Sequence, residues 1–243
     1  MEKIQIYLNS KRANKYINGQ TADCVFHLPP INVRKSKNVT VTVLNCQIPS
    51  SYYNVNSTNN KLVYRINGGA SQTIYFTKSN YNINTLKAHM ITLLGSNFSI
   101  TYTTSSNRLT IVNSTYDFLF EHSSTCFELL GFSESDHISN AKTLTSDNVV
   151  NLFTVRNLQI ASDNFILNNV DSYKSNSSNI LASIPINTSF NGIVSYNNIH
   201  DVHSEINNTR NLTNMHIKIT DQDGDTIELN NVHWSLTLLL TVK

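Results

Sequence analysis

The fold is decided by residues 39–48, VTVTVLNCQI, in which apolar and polar side chains alternate. A period of two is typical of a β-strand that buries one of its faces. The pattern predicts one face made of Val39, Val41, Val43 and Asn45 and an opposite face made of Thr40, Thr42, Leu44 and Cys46. Pro49 cannot donate a hydrogen bond to a neighbouring strand, so the strand is expected to end there.

Similar short runs follow along the chain and predict a mainly β protein. The other predicted strands are residues 24–28, 62–66, 73–76, 98–103, 108–112, 153–160, 180–186, 215–220, 226–229 and 234–242. The first of them is expected to stop at Pro29-Pro30. Asn67-Gly68-Gly69 and Ser105-Ser106-Asn107 lie between neighbouring runs and predict hairpin turns. Seven or more short strands separated by turn residues are typical of a β-sandwich or jelly roll.

Two short helices are predicted among these strands. Asn84 is placed to cap a helix over residues 85–94, which Gly95 would end. The apolar stripe of this helix is formed by Leu86, Met90, Leu93 and Leu94. A second helical turn is predicted within Thr125–Phe132. The predicted fold class is therefore a single jelly-roll β-sandwich with one or two short helices packed over a sheet.

The chain has 243 residues, a length at which all-β proteins often form one domain. No internal repeat and no linker-like change of composition divides it, so one domain over residues 1–243 is predicted. Two long polar loops are expected, at about 168–179 and 196–214. Loops of this length in a compact domain are usually functional or intermolecular, because nothing local orders them.

The composition is polar but weakly charged. Asn, Ser and Thr fill roughly a third of the chain, whereas charged residues make up only 14 % and the net charge is +2. This balance does not indicate a nucleic-acid-binding or membrane-surface protein. Two basic clusters, Lys11/Arg12/Lys15 and Arg34/Lys35/Lys37, are interpreted as a solvated terminus and a solvated loop. No apolar run approaches the roughly 18 residues that cross a bilayer, and residues 1–4 show no secretory signal.

Cysteine and histidine spacing predicts neither a disulfide framework nor a metal site. Cys24, Cys46 and Cys126 are widely spaced and odd in number, so buried free thiols of a reducing compartment are expected. His200 and His203, near Asp201 and Glu205, form a weak metal pattern without a third fixed ligand. His216 and His233 lie in strand-like segments, where a neutral, hydrogen-bonded ring is expected.

Catalytic motifs are also missing. Residues 221–225, Asp-Gln-Asp-Gly-Asp, begin like a calcium loop but have glycine at the wrong position, so an Asp-Gly hairpin turn is favoured. No P-loop, GxGxxG or GxSxG motif occurs. We therefore predict no catalytic, cofactor-binding or metal-binding residue and no enzymatic activity. The aromatic residues are expected in the core or at interfaces, and Trp234 more in the core.

Three stretches together resemble a known family. They are residues 25–33 with 45–55, then residues 79–86 with 98–103, 108–111 and 129–132, and finally residues 221–229 with 232–238. The arrangement resembles the penton (vertex) minor capsid proteins of virophages, polinton-like viruses and related large DNA viruses of eukaryotes. Ser79 stands where this family's pattern suggests a glycine before Asn80-Tyr81.

The resemblance implies a structural virion protein. Such a protein would be a single jelly roll that assembles as a homopentamer and closes the fivefold vertices of an icosahedral capsid. Its neighbours would be double jelly-roll major capsid proteins, with assembly in the host cytoplasm or nucleus and no secretion. The family offers no enzymatic residue to carry over.

Two other functions stay open. One is a receptor- or glycan-binding jelly roll, such as a fibre head or lectin, which could use Asp221, Asp223 and Asp225 with calcium. The other is a jelly-roll enzyme, such as a glycoside hydrolase or a cupin-like metalloenzyme, which would need carboxylates or histidines converging on one sheet face.

Overall fold

A computed structural model describes residues 2–31, 39–165, 167, 169–170, 177–199, 204–206 and 212–242. The strands are β1 (Glu2–Asn9), β2 (Lys15–Tyr16), β3 (Asp23–Ile31), β4 (Val39–Pro49), β5 (Lys61–Ile66), β6 (Gln72–Tyr75), β7 (Phe98–Thr103), β8 (Arg108–Asn113), β9 (Phe118–Phe120), β10 (His137–Ile138), β11 (Thr143–Thr145), β12 (Asn157–Ala161), β13 (Asn169–Val170), β14 (Ser177–Ser178), β15 (Ile180–Pro185), β16 (Ile193–Asn197), β17 (Ser204–Ile206), β18 (Leu212–Thr220) and β19 (Ser235–Val242). The helices are α1 (Ile83–Leu94) and α2 (Phe127–Leu130), with 3-10 turns at Ser10–Arg12 and Ile17–Gly19. The mainly β class is as predicted.

The chain divides into two compact units. The terminal unit comprises Met1–Tyr52 and Val155–Lys243, and the inserted unit comprises Tyr53–Thr154. The inserted unit therefore occupies the connection between β4 and β12. The single domain expected over residues 1–243 stays a prediction.

The terminal unit is a jelly roll. Its first sheet has the order β1-β19-β4-β16, with β17 also paired to β4, and its second has the order β15-β12-β18-β3-β2. Every pairing in both sheets is antiparallel. Eight long strands in two sheets with this crossed order form the double Greek key of a jelly roll. The predicted jelly-roll class is thereby confirmed for this unit.

The core of the terminal unit lies between its two sheets. Side chains from the first sheet, such as Ile48, Leu238 and Leu240, join Met215 and Ile217 of the second in one buried cluster. All five are fully shielded from solvent. Burial of such side chains contributes roughly 1.5–3 kcal/mol each, which makes alternation along the strands the main determinant of the fold.

A β-bulge in β4 changes the faces predicted for this strand. The pairing of β4 with β19 shifts register between Thr237 and Leu238, so that Asn45 and Val43 face consecutive residues and Leu44 is the extra residue. An extra residue inverts the alternation beyond it. Cys46 therefore joins Val43 in the core instead of lying on the opposite face.

Several other strands differ from the prediction, and β12 begins at Asn157 instead of residue 153. Pro29 and Pro30 do not stop β3, because they fall opposite a register shift in the pairing with β18, where no ladder hydrogen bond is required of them. The predicted strand at 226–229 is reduced to an isolated bridge between Thr220 and Thr226. The edge strand β1 was not predicted, although Ile4, Ile6 and Leu8 alternate with exposed residues along it.

The inserted unit contains two small antiparallel sheets, with orders β10-β9-β5-β6 and β11-β8-β7. Both predicted hairpins are present, β5–β6 and β7–β8. Leu86 and Met90 of α1 pack with Phe98 and Ile100 of β7 in a buried cluster, so this helix covers a sheet as predicted. Phe127, Leu129 and Leu130 of α2 belong to the same cluster.

The cap of α1 lies two residues earlier than predicted. Asn82, not Asn84, is the N-cap, and its side chain accepts hydrogen bonds from the backbone N–H groups of Asn84 and Thr85. The Thr85 hydroxyl accepts a hydrogen bond from the Asn82 N–H in return, completing a capping box. Asn84 is therefore in the first turn, and Gly95 ends the helix as expected. In the described part of the chain no helix is long and apolar enough to cross a membrane.

Candidate assembly and binding surfaces

Four connections leave the same end of the terminal unit, which we call the loop end. The last residue of β1, Asn9, pairs with Ser235 at the start of β19, and Ser235 pairs with Gln47 near the end of β4. Pro49 in turn pairs with Ile193 at the start of β16. The loop end therefore carries residues 10–22, 186–192 and 221–234 and the exit towards the inserted unit.

Hydrogen bonds around Trp234 fix two of these connections to each other. The Trp234 indole Nε1 donates to the Thr21 carbonyl at 2.7 Å, and the Thr21 hydroxyl donates to the Val232 carbonyl at 3.0 Å. The Trp234 backbone N–H donates to Ser10 Oγ at 2.9 Å. The ring itself is 2 % exposed and packs edge-on against Phe26. Trp234 is thus a core residue, as predicted, and it also holds the loop end in place.

The exit from β4 is fixed in the same way. Ser51 Oγ donates to the Leu229 carbonyl at 2.7 Å, and Asn230 Nδ2 donates to the Ser51 carbonyl at 2.5 Å. The Ser50 N–H donates to the Gly192 carbonyl at 2.9 Å. Backbone groups and short side chains from three separate connections therefore satisfy one another's hydrogen-bonding requirements at this end.

The opposite end of the terminal unit holds the connections β3–β4, β12–β15 and β16–β18. Several predicted features at this end lie outside the described residues. They are most of the predicted loop 168–179, residues 200–203 and 207–211 of the predicted loop 196–214, and the cluster Arg34/Lys35/Lys37. His200, Asp201 and His203 fall within the second of these loops and are therefore also outside the described residues. The described parts of the two predicted loops include the short strands β13, β14 and β17. The other basic cluster, Lys11/Arg12/Lys15, is exposed at the loop end, as expected.

The outer face of the first sheet bears no charge over three consecutive rows of paired residues. We call it the uncharged face. Its members are Asn9, Ser235, Gln47 and Ser195 in the first row, Tyr7, Thr237, Asn45 and Asn197 in the second, and Gln5, Leu239 and Thr42 in the third. Two of them, Thr237 and Thr42, are buried and contribute little exposed surface. Tyr7 is 74 % exposed at its edge, and Ile193 at the end of β16 is 57 % exposed. A face of neutral amides and hydroxyls loses less hydration energy on being covered than a charged face does.

The outer face of the second sheet, by contrast, is charged. Asp23 and Lys218 are paired across β3 and β18. His216 Nε2 lies 2.5 Å from Asp23 Oδ1, and its Nδ1 lies 3.0 Å from Asp163 Oδ2. His216 thus lies in a strand, as predicted, with both ring nitrogens within hydrogen-bonding distance of carboxylates. His233, also predicted in a strand, is exposed in the 221–234 connection with Nδ1 3.1 Å from Ser10 Oγ.

Residues 221–225 form the predicted Asp-Gly turn. The Asp221 carboxylate accepts hydrogen bonds from the backbone N–H groups of Asp223 and Asp225. Gly224 has a φ of 85°. Burial raises the pKa of the Asp221 carboxyl, although these two hydrogen bonds oppose the rise. Among the described residues no group of three or more His, Cys, Asp or Glu side chains could hold a metal ion.

One cluster of the inserted unit has the residue types of a nucleophilic triad. Ser133 Oγ lies 3.4 Å from His137 Nε2, and His137 Nδ1 lies 3.5 Å from Asp147 Oδ2. However, His137 Nε2 is closer to the Ser133 carbonyl, at 2.8 Å, and the Ser133 hydroxyl lies 3.0 Å from the Asp147 carboxylate. A ring nitrogen that donates its proton to the Ser133 carbonyl cannot at the same time accept the proton of the Ser133 hydroxyl. The cluster therefore joins two turns, with the His137 ring packed between Phe127 and Phe132.

Acid is expected to weaken the inserted unit through Asp147. Burial raises the pKa of this carboxyl, but hydrogen bonds from Ser133 and the charge of His137 outweigh it and lower the pKa below its ordinary value. A carboxyl with a depressed folded-state pKa stabilises the fold above its unfolded pKa of about 4, and this contribution is lost as the pH falls through the folded value. The side chain is 46 % exposed, so solvent screening limits the effect to about 1 kcal/mol or less.

Calorimetric melting at pH 6 and pH 3 tests this expectation. The melting temperature should fall less between the two values in Asp147→Asn than in the wild type. Asp221→Asn is the control of opposite sign. Because the pKa of Asp221 is raised in the folded protein, protonation of this carboxyl adds stability as the pH falls. Removing the carboxyl should therefore enlarge the fall in melting temperature between pH 6 and pH 3. Equal falls in Asp147→Asn and the wild type would contradict the assignment.

The three thiols are buried and unpaired, as predicted. Burial raises the pKa of Cys24, Cys46 and Cys126 to about 12 in each case. Because the thiolate is the nucleophilic form, none of the three is suited to covalent catalysis at neutral pH.

No protein-family model and no curated protein sequence matches the chain. Among solved structures, the crystal structure of the mavirus penton protein aligns over 100 % of both chains with a TM-score of 0.54 and 12 % identity. The chain has the fold of the mavirus penton protein. The cryo-EM structure of the Sputnik virophage at 3.5 Å resolution aligns over 97 % of each chain, with a TM-score of 0.45 and 12 % identity. Because the alignment with the mavirus penton protein spans both chains completely, it includes the terminal and the inserted unit alike.

Proposed function

We propose that this protein is a non-enzymatic structural subunit of a virion, a penton that closes the fivefold vertices of an icosahedral capsid. Five copies would form a ring, surrounded by double jelly-roll major capsid proteins. Assembly would take place in the cytoplasm or nucleus of the host cell, without secretion. The observation that carries the proposal is a jelly roll with the fold of the mavirus penton protein over its whole length.

The uncharged face supports the proposal physically. A ring is a head-to-tail assembly, so two different patches of each subunit must match. Interface cores are depleted of charged residues and enriched in tyrosine, and the uncharged face combines both properties. We assign it as one of the two patches that meet between copies.

The size of this face sets a condition on the contact. Four strands about 4.8 Å apart and five residues at about 3.4 Å each cover roughly 300 Å². Stable interfaces bury about 800 Å² per partner. The contact between copies must therefore extend beyond the sheet, and the adjoining loop end, with Phe190 at 37 % exposure and Ile193 at 57 % exposure, offers further surface.

The mass of the free protein under native conditions tests the proposal, and a fivefold mass is expected. Tyr7→Asp places a charge at the edge of the uncharged face and should weaken the ring by about 2 kcal/mol, or roughly 30-fold in the association constant. Tyr7→Phe should keep the ring. Both variants should keep the melting temperature of the separated subunit, since Tyr7 is 74 % exposed.

Tyr75→Asp provides a matched control, because Tyr75 is also exposed, at 60 %, but belongs to the inserted unit. A protein that stays monomeric at high concentration and never enters capsid shells would refute the penton proposal. A ring that survives Tyr7→Asp would refute only the assignment of the uncharged face.

A further inference from the structure

A polar cavity of about 290 Å³ opens at the loop end of the terminal unit. Its walls are residues 18–21 on one side and residues 228–231 on the other. We propose that this cavity is a binding site for a neutral saccharide. The proposal is independent of the penton function, because it concerns a ligand of the single subunit.

The backbone of both walls is bent in the same unusual way. Asn18, Gly19, Asn230 and Asn231 all have positive φ, between 49° and 71°. Asparagine tolerates this left-handed conformation better than most residues. Two left-handed pairs facing each other across a cavity leave short amide side chains, and no bulky ones, around its opening.

The side chains of the cavity match hydroxyl groups. The amides of Asn18, Gln20 and Asn231 form no hydrogen bond within the described part of the chain. Each amide offers both a donor and an acceptor, and a sugar hydroxyl is also both. Glu228 also lines the cavity.

The same lining argues against other classes of ligand. No Lys, Arg or His lines the cavity, so the lining offers no positive charge to phosphate, sulfate or acidic sugars. Leu229 supplies the one apolar side chain of the lining, which is too little for an apolar ligand. A single carboxylate is also too few for calcium, which takes six to eight oxygen ligands.

The cavity is already formed before any ligand arrives. Thr21, in one wall, is fixed by its bonds with Val232 and Trp234. Asn230, in the other wall, is held by its bond to the Ser51 carbonyl. A preformed site avoids the entropic cost of ordering its loops during binding.

The volume sets the size of the ligand. At roughly 30 Å³ per water molecule, the cavity holds about ten waters, so a single sugar ring is the expected unit of recognition. A small polar ligand in an open cavity should bind weakly, with a Kd of the order of millimolar.

Saturation-transfer NMR with the methyl α-glycosides of glucose, galactose, mannose and N-acetylglucosamine tests the proposal. At least one of them should receive saturation from the wild-type protein. The double variant Asn18→Gly/Asn231→Gly removes two amides at positions where glycine accepts the positive φ, and it should reduce binding at least tenfold. Asn67→Gly makes the same replacement at a φ of 51° in a hairpin turn outside the cavity, and it should leave binding unchanged.

Three results would overturn the proposal. They are the absence of saturation transfer to all four glycosides, undiminished binding in the double variant, and binding of sialic acid in place of the neutral sugars. Melting curves of both variants show whether the fold is kept, so a loss of binding in a folded double variant is attributable to the amides.

Discussion

Replacing Trp234 with alanine is expected to lower the stability of the terminal unit by about 3–5 kcal/mol. The side chain is 2 % exposed and joins the core between the two sheets, and its Nε1 bond to Thr21 would be lost together with its packing against Phe26. Domains of this size have a total stability of only about 5–15 kcal/mol. The melting temperature, followed by far-UV circular dichroism, should therefore fall by about 10–20 °C.

Trp234→Phe separates the two contributions. It keeps an aromatic ring in the core but leaves the Thr21 carbonyl without its indole donor, so a loss of about 1–3 kcal/mol is expected. A Trp234→Ala protein that melts within a few degrees of the wild type would mean that the ring does not hold the two sheets and the loop end together.

Replacing Gly131 with alanine is the second substitution with a large expected effect, in the inserted unit. Gly131 ends α2 with a φ of 80°, and a Cβ there would lie 2.5 Å from the Asn148 carbonyl oxygen and 2.8 Å from the Val149 carbonyl oxygen. The left-handed conformation costs alanine about 1–2 kcal/mol, and two backbone oxygens cannot move away as a side chain would. A total loss of about 3–4 kcal/mol is expected.

Gly68→Ala is the matched control for this substitution. Gly68 has a similar φ of 68° in the same unit, but nothing lies within 4 Å of a Cβ added there. The free energy of unfolding of Gly68→Ala, measured with urea, should therefore fall only by the cost of the left-handed conformation, about 1–2 kcal/mol. Equal losses in the two variants would show that the inserted unit accommodates the contact at Gly131.

Local sequence patterns were sufficient for most single elements. Alternation located β4, β15, β18 and β19, and the Asn-Gly-Gly stretch located the β5–β6 hairpin. Two of the errors concern features that depend on a neighbouring strand. The bulge at Leu44 exists because β19 pairs on both sides of it, and β3 passes through Pro29-Pro30 because β18 shifts register there. Neither partner can be identified from local pattern alone.

The candidate surfaces were harder to predict than the fold for the same reason. The uncharged face is assembled from β1, β4, β16 and β19, which are far apart in the sequence. The cavity likewise joins residues 18–21 with 228–231. In a chain where Asn, Ser and Thr are so frequent, the three asparagines of the cavity, Asn18, Asn230 and Asn231, give no local signal, and their positive φ values become evident only in the structure.

The position of β19 has a consequence for the synthesis of the protein. This strand is the last along the chain, yet it lies in the middle of the first sheet, between β1 and β4. Until β19 has left the ribosome, β1 lacks the strand with which it pairs among the described residues, and β4 lacks a neighbour on one side. The first sheet therefore cannot close before β19 has been synthesised, and until then the earlier strands carry unpaired edges that can pair with other chains.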